Sequence, residues 1–179
     1  QLLDGSKVQV GDRLFGLASS GLHTNGYSLA RHVLFEQAGF HLHDQPPELQ
    51  GQSVGEALLA VHRSYLGPCL PLVEQGLLTG MAHITGGGLP DNVPRVLPPG
   101  TAARIQTRSI PGLPIFELIV ARGNVAREEA YRVLNMGVGM VLFVRPDDVE
   151  RALAVLRERG ETPFALGEVV AGDRRVELI

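Results

Sequence analysis

A mixed α/β (α+β) fold, with a β-sheet covered by helices, is what this sequence predicts, and three observations carry that prediction. Residues 138–144, VGMVLFV, are a continuous apolar run of the length and composition of a buried strand. Residues 147–159 place Val149, Ala152, Leu153 and Leu156 on one stripe at helical spacing, and Gly160 ends the pattern. Residues 164–170 and 176–179 read as two strands separated by Ala171-Gly172-Asp173, a closing hairpin. Strands and helices interleave, but a terminal hairpin speaks against a purely parallel doubly wound sheet.

The remaining elements follow in chain order. Residues 14–18 form a short apolar strand entered through Gly11 and Asp12, and SSGLHTNG at 19–26 is a loop by composition. Ala30, Val33, Leu34 and Ala38 recur at three and four residues, predicting a helix stopped by Gly39. Ser53 and Glu56 have capping-box spacing, predicting a helix from there to Leu66 that ends at Gly67-Pro68, with a short helix following to Gly76. After the glycine run 86–88, residues 90–97 read as one or two helical turns closed by Pro98-Pro99. Residues 102–107 alternate as a strand, and Pro114 suits the first position of a helix over 115–122 terminated by Gly123. Residues 126–134 complete the helical set. No repeat, low-complexity tract or linker interrupts the chain, so 1–179 is expected to be one domain.

Composition narrows the function classes. The chain has 179 residues, 44% hydrophobic and 20% charged, with aromatics at only 5%, so its core must be mainly aliphatic. A formal net charge of −3 gives no general attraction to nucleic acid or an anionic membrane. Any phosphate handling must be local. No apolar run approaches the ~20 residues that span a bilayer, and residues 1–12 lack the apolar stretch of a signal peptide. The single cysteine, Cys69, excludes an internal disulfide and fits a reducing, cytoplasmic setting, where it reads as a small core residue.

Three glycine-punctuated segments are the candidate functional elements. SSGLHTNG lies between a strand and a helix, where Ser20, His23, Thr24, Asn25 and Gly26 can supply polar arms and backbone amides to an anion; it can equally be a turn capped by Thr24 or Asn25. HITGGGLPDNVPR carries Thr85, Gly86, Gly87, Gly88, Asn92 and Arg95. Three consecutive glycines are entropically costly and suit close approach to the main chain, though a flexible surface turn fits too. The run lacks Walker and GxGxxG spacing. In GNVAREEAYRVLNMGVGM, Asn135, Gly137 and Gly139 precede and enter the apolar strand, so backbone there can pass close to a ligand or a helix. Glu128 and Glu129 point about 100° apart on a helix and read as solvated. The H-x-H-D at 41–44 reads as a solvated loop before a metal site, and His32 and His62 are placed within helices without partners. No metal-ligand set is expected from this chain.

In this order, DGSKVQVGD (4–12), SSGLHTNGYSL (19–29), AHITGGGLPDNVPRVLP (82–98) and GNVAREEAYRVLNMGVGM (123–140) resemble the C-terminal half of the phosphoribosylformylglycinamidine cyclo-ligases, the aminoimidazole ribonucleotide synthetases. The resemblance spans essentially the whole chain. Asp91 stands where the family usually has Glu, Ala126 where Ser is common, and Val133-Leu134 where Thr-Phe is familiar.

The resemblance implies the C-terminal α/β domain of a longer two-domain enzyme, with partial likeness to a ferredoxin-like fold. The implied reaction uses ATP to activate the formyl oxygen of formylglycinamidine ribonucleotide; a nitrogen then closes the imidazole ring and phosphate leaves. ATP is a substrate, Mg²⁺ and a monovalent cation such as K⁺ accompany it, and the metal sites lie mainly in the N-terminal half. That half would be this chain's partner and would form a homodimer. By position, His23 is expected near the reacting formylamidine as polariser or proton carrier, with Asn25 and Gly26 shaping its loop. Thr85 and Gly86 to Gly88 would line the cleft near phosphate, with Asn92 and Arg95 behind them, and Asn135, Gly137 and Gly139 would form another wall. Selenophosphate synthetase and formylglycinamidine ribonucleotide synthetase are alternatives within the same ATP-using superfamily, and a stand-alone phosphosugar-binding module is an alternative outside it.

Overall fold

A computed structural model describes residues 3–179. Six strands form one sheet in the order β2-β4-β1-β5-β3-β6, with β1 at Arg13–Ala18, β2 at Gly80–His83, β3 at Thr101–Ile105, β4 at Val138–Val144, β5 at Phe164–Ala171 and β6 at Val176–Leu178. All neighbours are antiparallel except β3 and β6. The expected mixed sheet is therefore present, and β4 is buried along its whole length.

Period-2 alternation sends the strand side chains into two cores. Leu14, Val141, Phe143, Ile105 and Leu166 join the larger one. Over it pack α1 (Tyr27–Arg31), α2 (Val54–Leu58), α4 (Gly88–Asn92), α5 (Pro114–Gly123) and α6 (Arg127–Val133). Phe15, Leu17, Met140, Leu142 and Val144 face the smaller core, closed by α3 (Leu66–Glu74) and α7 (Val149–Glu158). Helices thus cover one face fully and the other in part. Where β5, β3 and β6 lack a helix on that second face, the sheet carries charge instead: Glu168 pairs with Arg13 at 2.6 Å, and Arg104 with Glu177 at 3.4 Å.

Three expectations need correction. The last two strands are not a hairpin. Each pairs with β3, β5 antiparallel and β6 parallel, so β3 lies between them. The connection passes around the start of β3, held by Gly172 N–H to Gly100 O and Arg174 N–H to Thr101 O, which carries β6 to the far side. The capping box of Ser53 and Glu56 forms as expected, but its helix stops at Leu58. Gly67-Pro68 does not end a helix. It lies in the first turn of α3, where a proline forfeits no intrahelical bond because the first amides have no partner anyway. Residues 59–65 between the two helices are irregular, which takes His62 out of the helix in which its spacing placed it.

Strand β2 was not anticipated. It is four residues long and opens with Gly80, whose missing side chain leaves room for Val8 and Val96. The helix expected from Ala30 to Ala38 is present, but its second half widens to a π-helix at His32–Gln37, with Ala38 N–H reaching back to Val33 O, before Gly39 turns the chain at φ 70°.

Candidate functional site

Strand direction brings the three glycine segments together. Both β1 and β2 run antiparallel to β4, so the ends of β1 and β2 meet the beginning of β4 at one edge of the sheet. From that edge leave loop 19–26, loop 84–88 and the turn 135–137. Direct contacts tie them. Ser19 N–H donates to Gly137 O, Ile84 N–H donates to Gly139 O, and a side chain on Gly86 would press on Asn25 Oδ1 at 3.1 Å. Gly88, at φ 58°, lies against the backbone of Tyr131 and Leu134 so closely that only glycine fits.

Each of two loops is built around one buried asparagine. Asn135 Oδ1 accepts from Ser19 Oγ at 2.8 Å and Gly137 N–H at 2.9 Å, while its amide donates to Gly21 O at 2.8 Å and Leu22 O at 3.3 Å. Asn92 does the same for the glycine run: Oδ1 accepts from Thr85 Oγ1, and Nδ2 donates to Thr85 O, Gly86 O and Gly88 O. Both are buried, so neither presents its amide to a ligand. They fix loop shape. Neither Thr24 nor Asn25 caps α1; its N-cap is Gly26, at φ 82°.

His23 is 4% exposed and adopts φ 61°, a left-handed conformation that few residues other than glycine take. Ser20 N–H donates to its Nε2 at 3.0 Å, so the ring proton resides on Nδ1, a buried atom with no partner among the described residues. Its ring stacks on His62 at 3.9 Å with planes 11° apart. His62 Nε2 in turn is 3.3 Å from Nε2 of His83. Burial first, then repulsion from His62 and His83, lowers the His23 pKa to about 4. His83 is lowered for the same reasons. His23 therefore lies beneath His62, and exposed His83 and half-exposed His62 are met first from solvent.

Tyr65 seals the back of this cluster, donating to Ala18 O at 2.7 Å. A side chain on Gly139 would collide with the Tyr65 hydroxyl and reach His23 Cε1 at 3.0 Å, so that glycine makes room for both rings. Arg63 pairs with Glu161 and pins residues 59–65 to the connection between α7 and β5. Beside the cluster runs an apolar groove of about 440 Å³, lined by His62, Tyr65, Leu66, Cys69, Met81 and His83 among others.

The structure thus gathers Ser20, His23, Asn25, Gly26, Thr85, Gly86, Gly87, Gly88, Asn92, Asn135, Gly137 and Gly139 at one sheet edge. Thr24 is in the same loop but exposed. Arg95 is not brought in: it is exposed and borders a separate groove with Asp4, Ser6 and Arg174. The glycine run is already faced by a carboxylate, since a side chain on Gly87 would strike Asp91. His41 and Asp44 stay on the surface, 3.6 Å apart, and Glu128 and Glu129 are solvated as expected. Missed by the sequence reading were His62 and Tyr65, whose positions, about 40 residues beyond the His23 loop, give no spacing signal.

Residues 9–179 match the family described as AIR synthase related protein, C-terminal domain, and the chain belongs to that family. Among curated relatives, it is 45% identical over 179 residues to a phosphoribosylformylglycinamidine cyclo-ligase of Bifidobacterium animalis subsp. lactis, and 50% identical over 182 residues to that of Syntrophotalea carbinolica. In both comparisons 99% of this chain aligns with 52% of the relative, so the chain spans about half their length. Among solved structures, thiamine-monophosphate kinase from Stenotrophomonas maltophilia K279a superposes with a TM-score of 0.62 at 15% identity, over 97% of this chain and 52% of that one, a likeness of fold alone.

Proposed function

We propose that this member of the family is the C-terminal domain of an ATP-dependent cyclo-ligase that converts formylglycinamidine ribonucleotide to aminoimidazole ribonucleotide in purine biosynthesis. The observation that carries this reading is the meeting of the three glycine segments at one sheet edge in a chain that shares nearly half its residues with cyclo-ligases. In this reaction the γ-phosphoryl group of ATP moves to the formyl oxygen and ADP leaves. Nitrogen then attacks the activated carbon, its proton is lost, and the C–O bond to phosphate breaks. Phosphoryl transfer needs positioning and charge stabilisation above all, and Mg²⁺ with K⁺ would supply charge from the other half of a cytoplasmic, homodimeric enzyme.

The chain's own contribution is shape and polarity. Asn92 and Asn135 hold the loops rigid before a ligand arrives, so ordering them costs nothing on binding. His23, kept neutral by burial, acts as a polariser that hydrogen-bonds the formylamidine once the His62 ring turns aside. A pKa of about 4 makes it a poor proton carrier near neutrality. Leu66 and Leu70, exposed apolar side chains that line the groove, together with exposed Leu59 and Val61 in the preceding segment, fit a surface that the N-terminal half covers.

The test is the full-length protein with formylglycinamidine ribonucleotide, ATP, Mg²⁺ and K⁺. Formation of aminoimidazole ribonucleotide is expected there, and none from residues 1–179 alone. An inactive full-length enzyme overturns the proposal. For the polariser role, His23→Ala should lower kcat by about 10²–10³, while His23→Asn, which keeps a hydrogen-bonding group, should lose far less. Equal, large losses in both would assign proton carriage instead.

A further inference from the structure

We propose that His23, His62 and His83 form a binding site for one divalent cation of the Zn²⁺ class. One ring nitrogen from each lies within 4.8 Å of the other two. His62 Nε2 and His83 Nε2 are 3.3 Å apart. Two imidazole nitrogens on a tetrahedral ion at Zn–N distances of about 2.0–2.1 Å stand about 3.3 Å apart, the spacing of this pair, which His62 keeps by turning about the ion as its ring swings off His23. His23 supplies the third ligand. Its Nδ1 is buried without a partner among the described residues, in a residue only 4% exposed, and an unpaired polar atom in such a place calls for an explanation.

Ligation by Nδ1 requires the ring proton to move to Nε2, which ends the bond from Ser20 N–H to that nitrogen and replaces it with one from Nε2 to Ser20 Oγ, 3.2 Å away. That hydroxyl spends its own proton on Val61 O, so its lone pairs are free. Ser20 then takes the outer-shell place that ligating histidines usually fill with a hydrogen-bond acceptor. The parallel stack of His23 and His62 must also open, because ring lone pairs lie in the ring plane and parallel planes do not converge. His62 sits in the irregular segment 59–65, half-exposed, and can turn about its side-chain torsions. His83, exposed at the end of β2, leaves the fourth position toward solvent. An all-imidazole set selects Zn²⁺, Cu²⁺, Ni²⁺ or Co²⁺ over Mg²⁺ or Ca²⁺, which prefer oxygen. The three histidines would hold such an ion whether or not the chain belongs to a working cyclo-ligase. A bound ion and a polarising His23 would compete for the same ring nitrogen.

Untagged protein is titrated with Co²⁺, following d–d absorption, and with Zn²⁺ by calorimetry. One ion per chain is expected, with the visible bands of a four- or five-coordinate cobalt, and Mg²⁺ should give no heat. His62→Gln and His83→Gln, both at solvent-accessible positions, should each weaken binding by at least about tenfold, the loss that outer-shell changes alone produce at such sites. Absence of one-to-one binding overturns the proposal. So does binding that survives both substitutions unchanged, which would place the ion on the surface histidines His32, His41 or His43.

Discussion

Replacing Asn135 by alanine tests the reasoning about the site most directly. The side chain is 5% exposed and makes four hydrogen bonds to loop 19–22 and Gly137. Alanine removes all four partners at once and fills none of their needs. Ser19 Oγ can rotate to another acceptor, and the bond to Leu22 O, at 3.3 Å, is weak. Gly21 O and Gly137 N–H are left without their side-chain partner. At about 1–3 kcal/mol for each of these two buried orphans, the cost should be roughly 2–6 kcal/mol. Urea unfolding of wild type and variant, compared at equal m-values, reads it directly. Asn135→Asp sharpens the test. It keeps the Oδ1 acceptor but turns the donor into an oxygen facing two carbonyls, which disfavours the charged form and raises the folded-state pKa. Such a group is tolerated below the unfolded value near 3.9 and destabilises progressively as pH rises through that value toward the raised one. Asn135→Asp should therefore lie nearer wild type at pH 4 than at pH 7. A loss below about 0.5 kcal/mol for Asn135→Ala, the range of ordinary surface changes, would refute the account of Asn135 as the clamp of the His23 loop.

Three further outcomes are expected. Asp12→Ala should cost about 2–5 kcal/mol by urea unfolding, because fully buried Asp12 pairs with Arg145 at 2.6 Å and accepts from Thr79 Oγ1 at 2.7 Å and from Gln9 N–H at 3.2 Å, and those donors would lose their acceptor. Gly139→Ala should cost about 1–3 kcal/mol through overpacking against Tyr65 and His23, and Gly139→Ala combined with Tyr65→Phe should recover part of it. The His23 pKa of about 4 means that the unfolded chain binds more protons between about pH 6.5 and 4, so stability should fall across that window as pH is lowered, by at most about 1.4 kcal/mol per unit from this group. His23→Gln should flatten the slope, and a His23 ring that titrates above pH 6 by NMR would contradict the burial argument.

The sequence alone determined the features that rest on local chemistry. Residues 138–144 are a buried strand because seven apolar residues in a row admit nothing wetter. Ser53 and Glu56 satisfy each other's amides within one turn, Pro114 marks a helix start by its fixed φ, and Gly160 marks a helix end by its freedom to adopt φ 77°. The glycine motifs and their family were legible for the same reason, since close backbone approach leaves its mark at fixed positions. Tertiary structure alone decided pairing and proximity. The last two strands look like a hairpin until β3 enters between them, a choice made by non-local hydrogen bonds. Gly67-Pro68 is equally compatible with ending one helix or beginning the next, and packing of Cys69 and Leu72 into the smaller core selects the second. His23, His62 and His83 come together from positions 23, 62 and 83 because two strands end at one sheet edge beside an irregular connection. No pattern along the chain encodes that meeting, for contacts between distant residues are set by topology and not by sequence spacing.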